Sequence, residues 1–299
     1  MCLHRRKRVA NVIICSHYDA SSPRAHPVNT FFNEMHALLP LVVTAVEQAG
    51  RTLATRFSIS SRPSDAASLQ AAIEENDVAV TARLREALLR ALPGSGWIED
   101  EEAGGAMPAG HWWIADPVEG NVNHIHGRLG WGVTATLVQD GFPVLTVTTL
   151  PLAGQTYTAI LGGGACVNGV PITVSAKTQL NAAIVGTGQA RPGEGAAIYA
   201  RMAWSIETML EKALLVRMSV PTTLELLDVA SGRAEGFWQY SQVRTGLASG
   251  ALLVKEAGGM VTDTRGNPWT FLSEDFLAAA PGVHAAAVEC LHRDAVEAV

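Results

Sequence analysis

Trp112-Trp113-Ile114-Ala115-Asp116-Pro117-Val118-Glu119-Gly120-Asn121-Val122-Asn123-His124 is the stretch that decides how the chain is read. Trp112 to Ala115 form an apolar run that reads as the end of a buried strand. Asp116 falls where that strand stops, because Pro117 has no N–H to give to a ladder. Glu119-Gly120-Asn121 turns the chain, and Asn121 or Asn123 can cap the helical turn that follows. Two carboxylates three residues apart thus sit on a stiff, bent segment. Backbone N–H groups at Gly120 and Asn121 are available to an anion. Such a corner suits a divalent cation on one side and a phosphate on the other.

Upstream, Trp97-Ile98 reads as a short strand leading into Glu99-Asp100-Glu101-Glu102. Taken alone, that acidic run is a solvated turn; its place ahead of Asp116 makes it a candidate second source of carboxylate ligands. Before it come two helices. The first runs from Asn29-Thr30 towards Phe57, with Phe32, Met35, Leu38, Leu39, Val42, Val43 and Val46 at helical spacing. The second covers Leu69 to Leu92, with Val78, Val80, Leu84 and Leu88 apolar, and stops at Pro93-Gly94. Asp77 lies in that helix beside Glu74, Glu75 and Asn76, and reads equally as an exposed acid or a catalytic one.

Downstream the pattern becomes β: 134–138, 144–150 and 156–161 are strand-like runs punctuated by Asp140-Gly141, Pro151 to Gly154 and Gly162 to Gly164. Asn168-Gly169 is a tight-turn signal. From about 180, strands (183–187, 213–220, 237–238, 260–261, 276–280) alternate with helices (196–210, 222–231, 247–257 and one from 283). Helices, then an antiparallel-looking sheet, then a mixed half suggest stacked layers rather than a doubly wound unit.

The 299 residues are 48% apolar and 17% charged, ordinary for a globular protein, and the net charge of −6 argues against a nucleic-acid partner. No run of 18 apolar residues is present, so no membrane span is expected. The basic His4-Arg5-Arg6-Lys7-Arg8 cluster precedes a short apolar run without an A-x-A site, and residues 1–30 read as a disordered tail. Cys2, Cys15, Cys166 and Cys290 are scattered, which fits reduced thiols in a cytoplasmic protein, Cys166 being a small apolar filler. His124 and His126 have no partner spacing for zinc and read as supporting or surface groups. Gly258-Gly259 reads as a helix C-cap.

Asp116-Pro117-Val118-Glu119-Gly120-Asn121-Val122-Asn123 resembles the D-P-(I/L)-D-G-T-x-N signature of the inositol monophosphatase family of Mg²⁺-dependent phosphatases. Gly162 to Gly169 resembles its G-x-G-A-x-x-N-G hairpin, and Leu247 to Asp263 its late A-G-x-L-L-V-x-E-A-G-G segment; Gly232 to Trp238 also fits. The resemblance spans residues 31 to 295. It implies an α+β fold, a five-layer αβαβα sandwich. The halves are 31–178, carrying the metal site, and 179–299. It also implies a homodimer and a two- or three-Mg²⁺ site. By the same resemblance Asp100, with Glu101 beside it, Asp116, the Val118 carbonyl and Glu119 are metal ligands, and Asp77 with Asn121 positions the attacking water. Glu119, Gly120, Asn121, Gln239 and Gly246 fall at substrate-contacting positions.

The motifs also depart from the family. Glu119 replaces an aspartate, Asn121 a threonine, Gln239 a glutamate, and Thr245-Gly246 a tryptophan-aspartate pair. Losing the carboxylate at 246 removes a charge from the second metal site, and the Asn121 amide cannot relay a proton as a hydroxyl can. The expected function is Mg²⁺-dependent hydrolysis of a small polyol, sugar or nucleotide phosphate, with a weakened second metal site. The alternative is a catalytically impaired member that binds a phosphate ligand or a protein partner.

Overall fold

The computed structural model describes residues 27–99, 105–240 and 244–292. In chain order the elements are α1 (Pro27–Arg56), α2 (Ala66–Ala91), β1 (Gly96–Trp97), β2 (His111–Glu119), α3 (Asn121–Ile125), β3 (Gly132–Gln139), β4 (Phe142–Leu150), β5 (Gln155–Ile160), β6 (Gly164–Val167) and β7 (Val170–Pro171). A 3-10 turn (Leu180–Ala182) follows. Then come β8 (Ile184–Thr187), α4 (Ala196–Lys212), β9 (Leu215–Met218), α5 (Thr222–Ala230), β10 (Gly236–Gln239), α6 (Arg244–Glu256), β11 (Met260–Thr262), β12 (Phe276–Ala279) and α7 (Pro281–Leu291).

The first seven strands form one sheet in sequence order, with β1 parallel to β2 and every later neighbour antiparallel. The other five form a mixed sheet ordered β11-β12-β10-β8-β9. Alternation sorts the first sheet's faces. Trp113, Ala115, Val133, Ala135 and Leu137 pack on Met35, Val42, Val46 and Leu53 of α1 and Leu84 and Leu88 of α2. The other face carries Thr134, Thr136, Thr146 and Thr148, all buried. Their hydroxyls pair across β3 and β4, and those of Thr146 and Thr148 reach Ser249 of α6 at 2.9 and 3.0 Å. Buried hydroxyls that satisfy one another fix α6 against this sheet without leaving a polar group unpaired.

Helices α5 and α6 fill the space between the sheets, packing on Tyr157, Ala159 and Ala165 of one and Phe237, Phe276 and Ala278 of the other. They approach closely at Gly250, where a Cβ would collide with the Leu226 side chain. The outer face of the second sheet is covered by α4 and α7 through Met202, Met209, Val283 and Leu291. The architecture is therefore the expected αβαβα sandwich. Two expectations fail outside the site. Val78 is exposed rather than core-facing, since α2 buries Asn76, Val80, Leu84 and Leu88. Cys166 is disulfide-bonded, not a reduced filler, because scattered spacing carries no pairing information; Cys290 is free.

Candidate active site

The site begins at the end of β2. The strand does not stop at Asp116 as expected but runs through Pro117 to Glu119. Asp116 pairs with Thr134 and Glu119 with Gly132, so three steps on β2 match two on β3. This is a bulge, and it lets the proline's missing donor fall where the ladder is already interrupted. The Val118 N–H turns back to donate to Asp116 Oδ1 at 2.9 Å. Gly120 then takes φ 76°, and a Cβ there would stand 2.7 Å from the Gly130 carbonyl oxygen, so the turn requires glycine. Asn121 opens α3, but neither it nor Asn123 caps the helix; Gly120 is the N-cap and makes no side-chain bond. Asn123 instead donates to the carbonyls of Gly130 and Val220 at 2.8 and 3.0 Å, tying the corner to the loop before α5.

A cleft of about 700 Å³ opens over this corner, lined among others by Asp77, Thr81, Trp97, Asp116, Glu119 and Asn121. No Lys or Arg lines it among the described residues. Glu119 is buried, and its proton affinity is pushed well up by burial and then by the Asp116 charge, opposed by the Thr223 hydroxyl that donates to Oε2 at 2.7 Å. Burial likewise pushes Asp116 up to about 6, with the Val118 N–H opposing and the charge of Asp77 adding to it. Asp77 is raised by burial and by Glu74. Desolvated carboxylates that repel one another, with no cationic partner among the described residues, are the donor set a hard divalent cation satisfies. The Asp116 and Glu119 carboxylates and the Val118 carbonyl are the oxygens of that type.

Asn121 is held from behind. Its Nδ2 donates to Asp77 Oδ1 at 3.3 Å, and its Oδ1 accepts from Asn76 Nδ2 at 2.8 Å. Asn76, 3% exposed, also meets His124 Nδ1 at 3.1 Å and accepts from Arg56 Nε at 3.0 Å. The far nitrogen of His124 lies 3.1 Å from the Leu53 carbonyl oxygen. Burial depresses the basicity of His124, the Leu53 carbonyl opposes that, and Arg56 adds to it.

Gln239 and Gly246 lie behind the cleft lining. Gln239, at the end of β10, is buried, and its Oε1 accepts from the Thr222 hydroxyl at 2.6 Å. Gly246 is in the first turn of α6, and a Cβ there would meet Thr223 Oγ1 at 2.9 Å. Contacts therefore run from Glu119 through Thr223 to Gly246. Asp100 and Glu101 lie outside the described residues. Glu99, next to them, is exposed and pairs with Arg85 at 2.7 Å. Among the described residues no group of three His, Cys, Asp or Glu side chains converges to hold a metal. Asn76 and Thr223 were missed. The signal for Asn76 was its place four residues before Val80 on the stripe continued by Leu84 and Leu88; Thr223 had none.

Comparison with known proteins extends the picture. The model of the inositol monophosphatase family matches residues 34–298. An inositol-1-monophosphatase of Rhizobium meliloti is 32% identical over 239 residues, covering 77% of this chain and 86% of the relative. A putative Nus factor SuhB of Neisseria meningitidis is 34% identical over 202 residues, covering 67% and 76%. The crystal structure of extragenic suppressor protein suhB from Bartonella henselae superposes with a TM-score of 0.70 at 26% identity, covering 86% of this chain and all of that one. No helix among the described residues is long and apolar enough to cross a membrane.

Proposed function

The chain belongs to the inositol monophosphatase family, and from that membership we propose that it is a Mg²⁺-dependent phosphomonoesterase with a weakened second metal site. Its substrate is a small polyol, sugar or nucleotide phosphate. The observation that carries the reading is the pair of desolvated carboxylates at the β2 bulge, half-buried Asp116 and buried Glu119, facing a cleft with no basic lining among its described residues. Asp116, Glu119 and the Val118 carbonyl would hold a Mg²⁺ ion there, which would supply charge neutralisation for the phosphate and lower the pKa of a nearby water. Asp100 and Glu101 are proposed to complete the donor set.

The chain's own groups supply the rest. Asn121 and Asp77 orient the water, and Asp77 takes its proton as the water oxygen bonds to phosphorus. The ester oxygen leaves with the electron pair of the broken P–O bond and is protonated from solvent. The turn at Gly120 and Asn121 lies against the cleft where the phosphate is received. The weakening of the second site is supported at Gly246, which brings no carboxylate, and at Thr223, whose hydroxyl occupies Glu119 Oε2.

That same engagement of Glu119 favours a second reading, in which the chain binds a phosphate ligand or a protein without turning it over. The experiment is phosphate release from a panel of phosphoesters at millimolar Mg²⁺, comparing wild type with Asp116→Asn. Turnover that Asp116→Asn abolishes supports the hydrolase; equally slow release by both favours the binder.

A further inference from the structure

The network behind Asn121 has two ends whose chemistry runs one way. Arg56 is a guanidinium and only donates, so the oxygen of Asn76 faces it and the Asn76 amino group faces inward. At the other end the Leu53 carbonyl only accepts, so His124 carries its proton on Nε2 and presents a bare Nδ1. Both constraints agree at Asn76, whose two Nδ2 hydrogens are then taken by Asn121 Oδ1 and His124 Nδ1. Amide and imidazole orientations are ordinarily assigned by choice; here donor-only and acceptor-only groups fix them from both sides. Asn121 is left with Oδ1 turned inward and Nδ2 turned to Asp77, and its second Nδ2 hydrogen has no partner among the described residues.

We propose that Asn76 is a positioning residue that locks the Asn121 amide as a donor towards the cleft, leaving Asp77 to accept the proton of the attacking water. This rests on the hydrolase reading above. A threonine at 121 would present a hydroxyl free to rotate and to act as donor or acceptor, with no need of an outside lock. An asparagine presents its donor edge or its acceptor edge, and the wrong edge sets an oxygen against the Asp77 carboxylate. The buried asparagine four residues ahead of the α2 apolar stripe is what excludes that arrangement. Its amide is in turn held by Arg56, which also pairs with Glu75 at 3.2 Å.

The test is Asn76→Asp, of the same shape, measured in the Mg²⁺-loaded full chain. Oxygen at both terminal positions still receives Arg56 but turns the Asn121 amide over. We expect kcat to fall by about 10²-fold with KM unchanged. In an Asn121→Thr background the same substitution should cost less than about two-fold, because the rotating hydroxyl uncouples the pair. An unchanged kcat, an effect on KM alone, or equal losses in both backgrounds would overturn the proposal. Nitrogen NMR shifts of His124 in the wild type give an answer independent of turnover and of any variant's folding. The Nε2–H tautomer is expected, and the Nδ1–H tautomer would mean that Asn76 is turned the other way. If the wild type releases no phosphate from any ester, the hydrolase reading fails and the catalytic use of the amide fails with it. The tautomer still decides whether Asn76 sets the orientation.

Discussion

The desolvated acids at the end of β2 and the buried acids around the second sheet are treated in opposite ways. Around the second sheet each has a cation. Glu235, 1% exposed, meets Lys177 at 3.1 Å and accepts from the Ile184 N–H at 2.7 Å. Asp275 meets Arg201 at 2.7 Å, and Glu225 meets Arg217 at 3.3 Å. At the end of β2, Asp116 and Glu119 are desolvated beside one another and have, among the described residues, a backbone N–H and a hydroxyl as hydrogen-bond donors and no cation. An uncompensated desolvated carboxylate costs stability, so a fold that neutralises three such groups and leaves Asp116 and Glu119 without a cation is keeping those two for something. The first set holds the molecule together; the second is available to a cation.

The sharpest way to break this contrast is to neutralise one acid from each set. Asp116→Asn should lower phosphate release by about 10²–10³ in kcat while leaving the fold intact. Asp275→Asn should leave kcat within about two-fold and lower the unfolding free energy by about 1–3 kcal/mol, since the amide keeps one oxygen and either Arg201 or the Thr264 N–H loses its acceptor along with the ion pair's charge. Activity assays and denaturant melts on the two variants read both predictions. Comparable stability losses from both would erase the distinction.

The pH dependence of stability is the next effect. Burial pushes the Asp116 carboxyl up to about 6 in the folded state, above the ordinary aspartate value near 3.8. The folded state therefore holds more protons than the unfolded chain in this interval, and this group's stabilisation is complete below about pH 4 and lost as pH rises through about 6. In metal-free protein, Asp116→Asn should gain on wild type by about 1–3 kcal/mol between pH 4 and 7. A pH-independent difference between the two melts would contradict it.

The smallest effects lie at the substituted wall. Gly246→Asp alone meets Thr223 Oγ1, so we expect less than about a two-fold change in rate. Paired with Thr223→Ala, which frees Glu119 Oε2 and makes room, the same substitution should raise kcat by about ten-fold by restoring a carboxylate. Steady-state rates of the single and double variants against Mg²⁺ concentration decide it.

Much of the fold was legible because its signals are local. Apolar spacing fixed α1 and α2, and Asn168-Gly169 and Asp140-Gly141 take the positive φ values their turns demand. The departures at the site are long-range. Whether β2 continues past Pro117 depends on its register with β3, since a bulge is a property of two strands. Thr223 reaches Glu119 from 104 residues away, which no pattern around either residue announces. Asn76 is intermediate: its spacing with Val80, Leu84 and Leu88 places a polar group on a core face, but its partners come from two other parts of the chain, Arg56 from α1 and Asn121 and His124 from α3.

The most direct measurement of the central claim is calorimetric titration of metal-free protein with Mg²⁺ in buffers of different ionisation enthalpy, at pH 6 and pH 8. If Asp116 and Glu119 form the cation site, binding at pH 6 displaces protons from these carboxylates and the heat depends on the buffer. Fewer protons should leave at pH 8, and Asp116→Asn should abolish the heat. Wild type and Asp116→Asn binding Mg²⁺ alike, or no proton release at pH 6, would contradict the account.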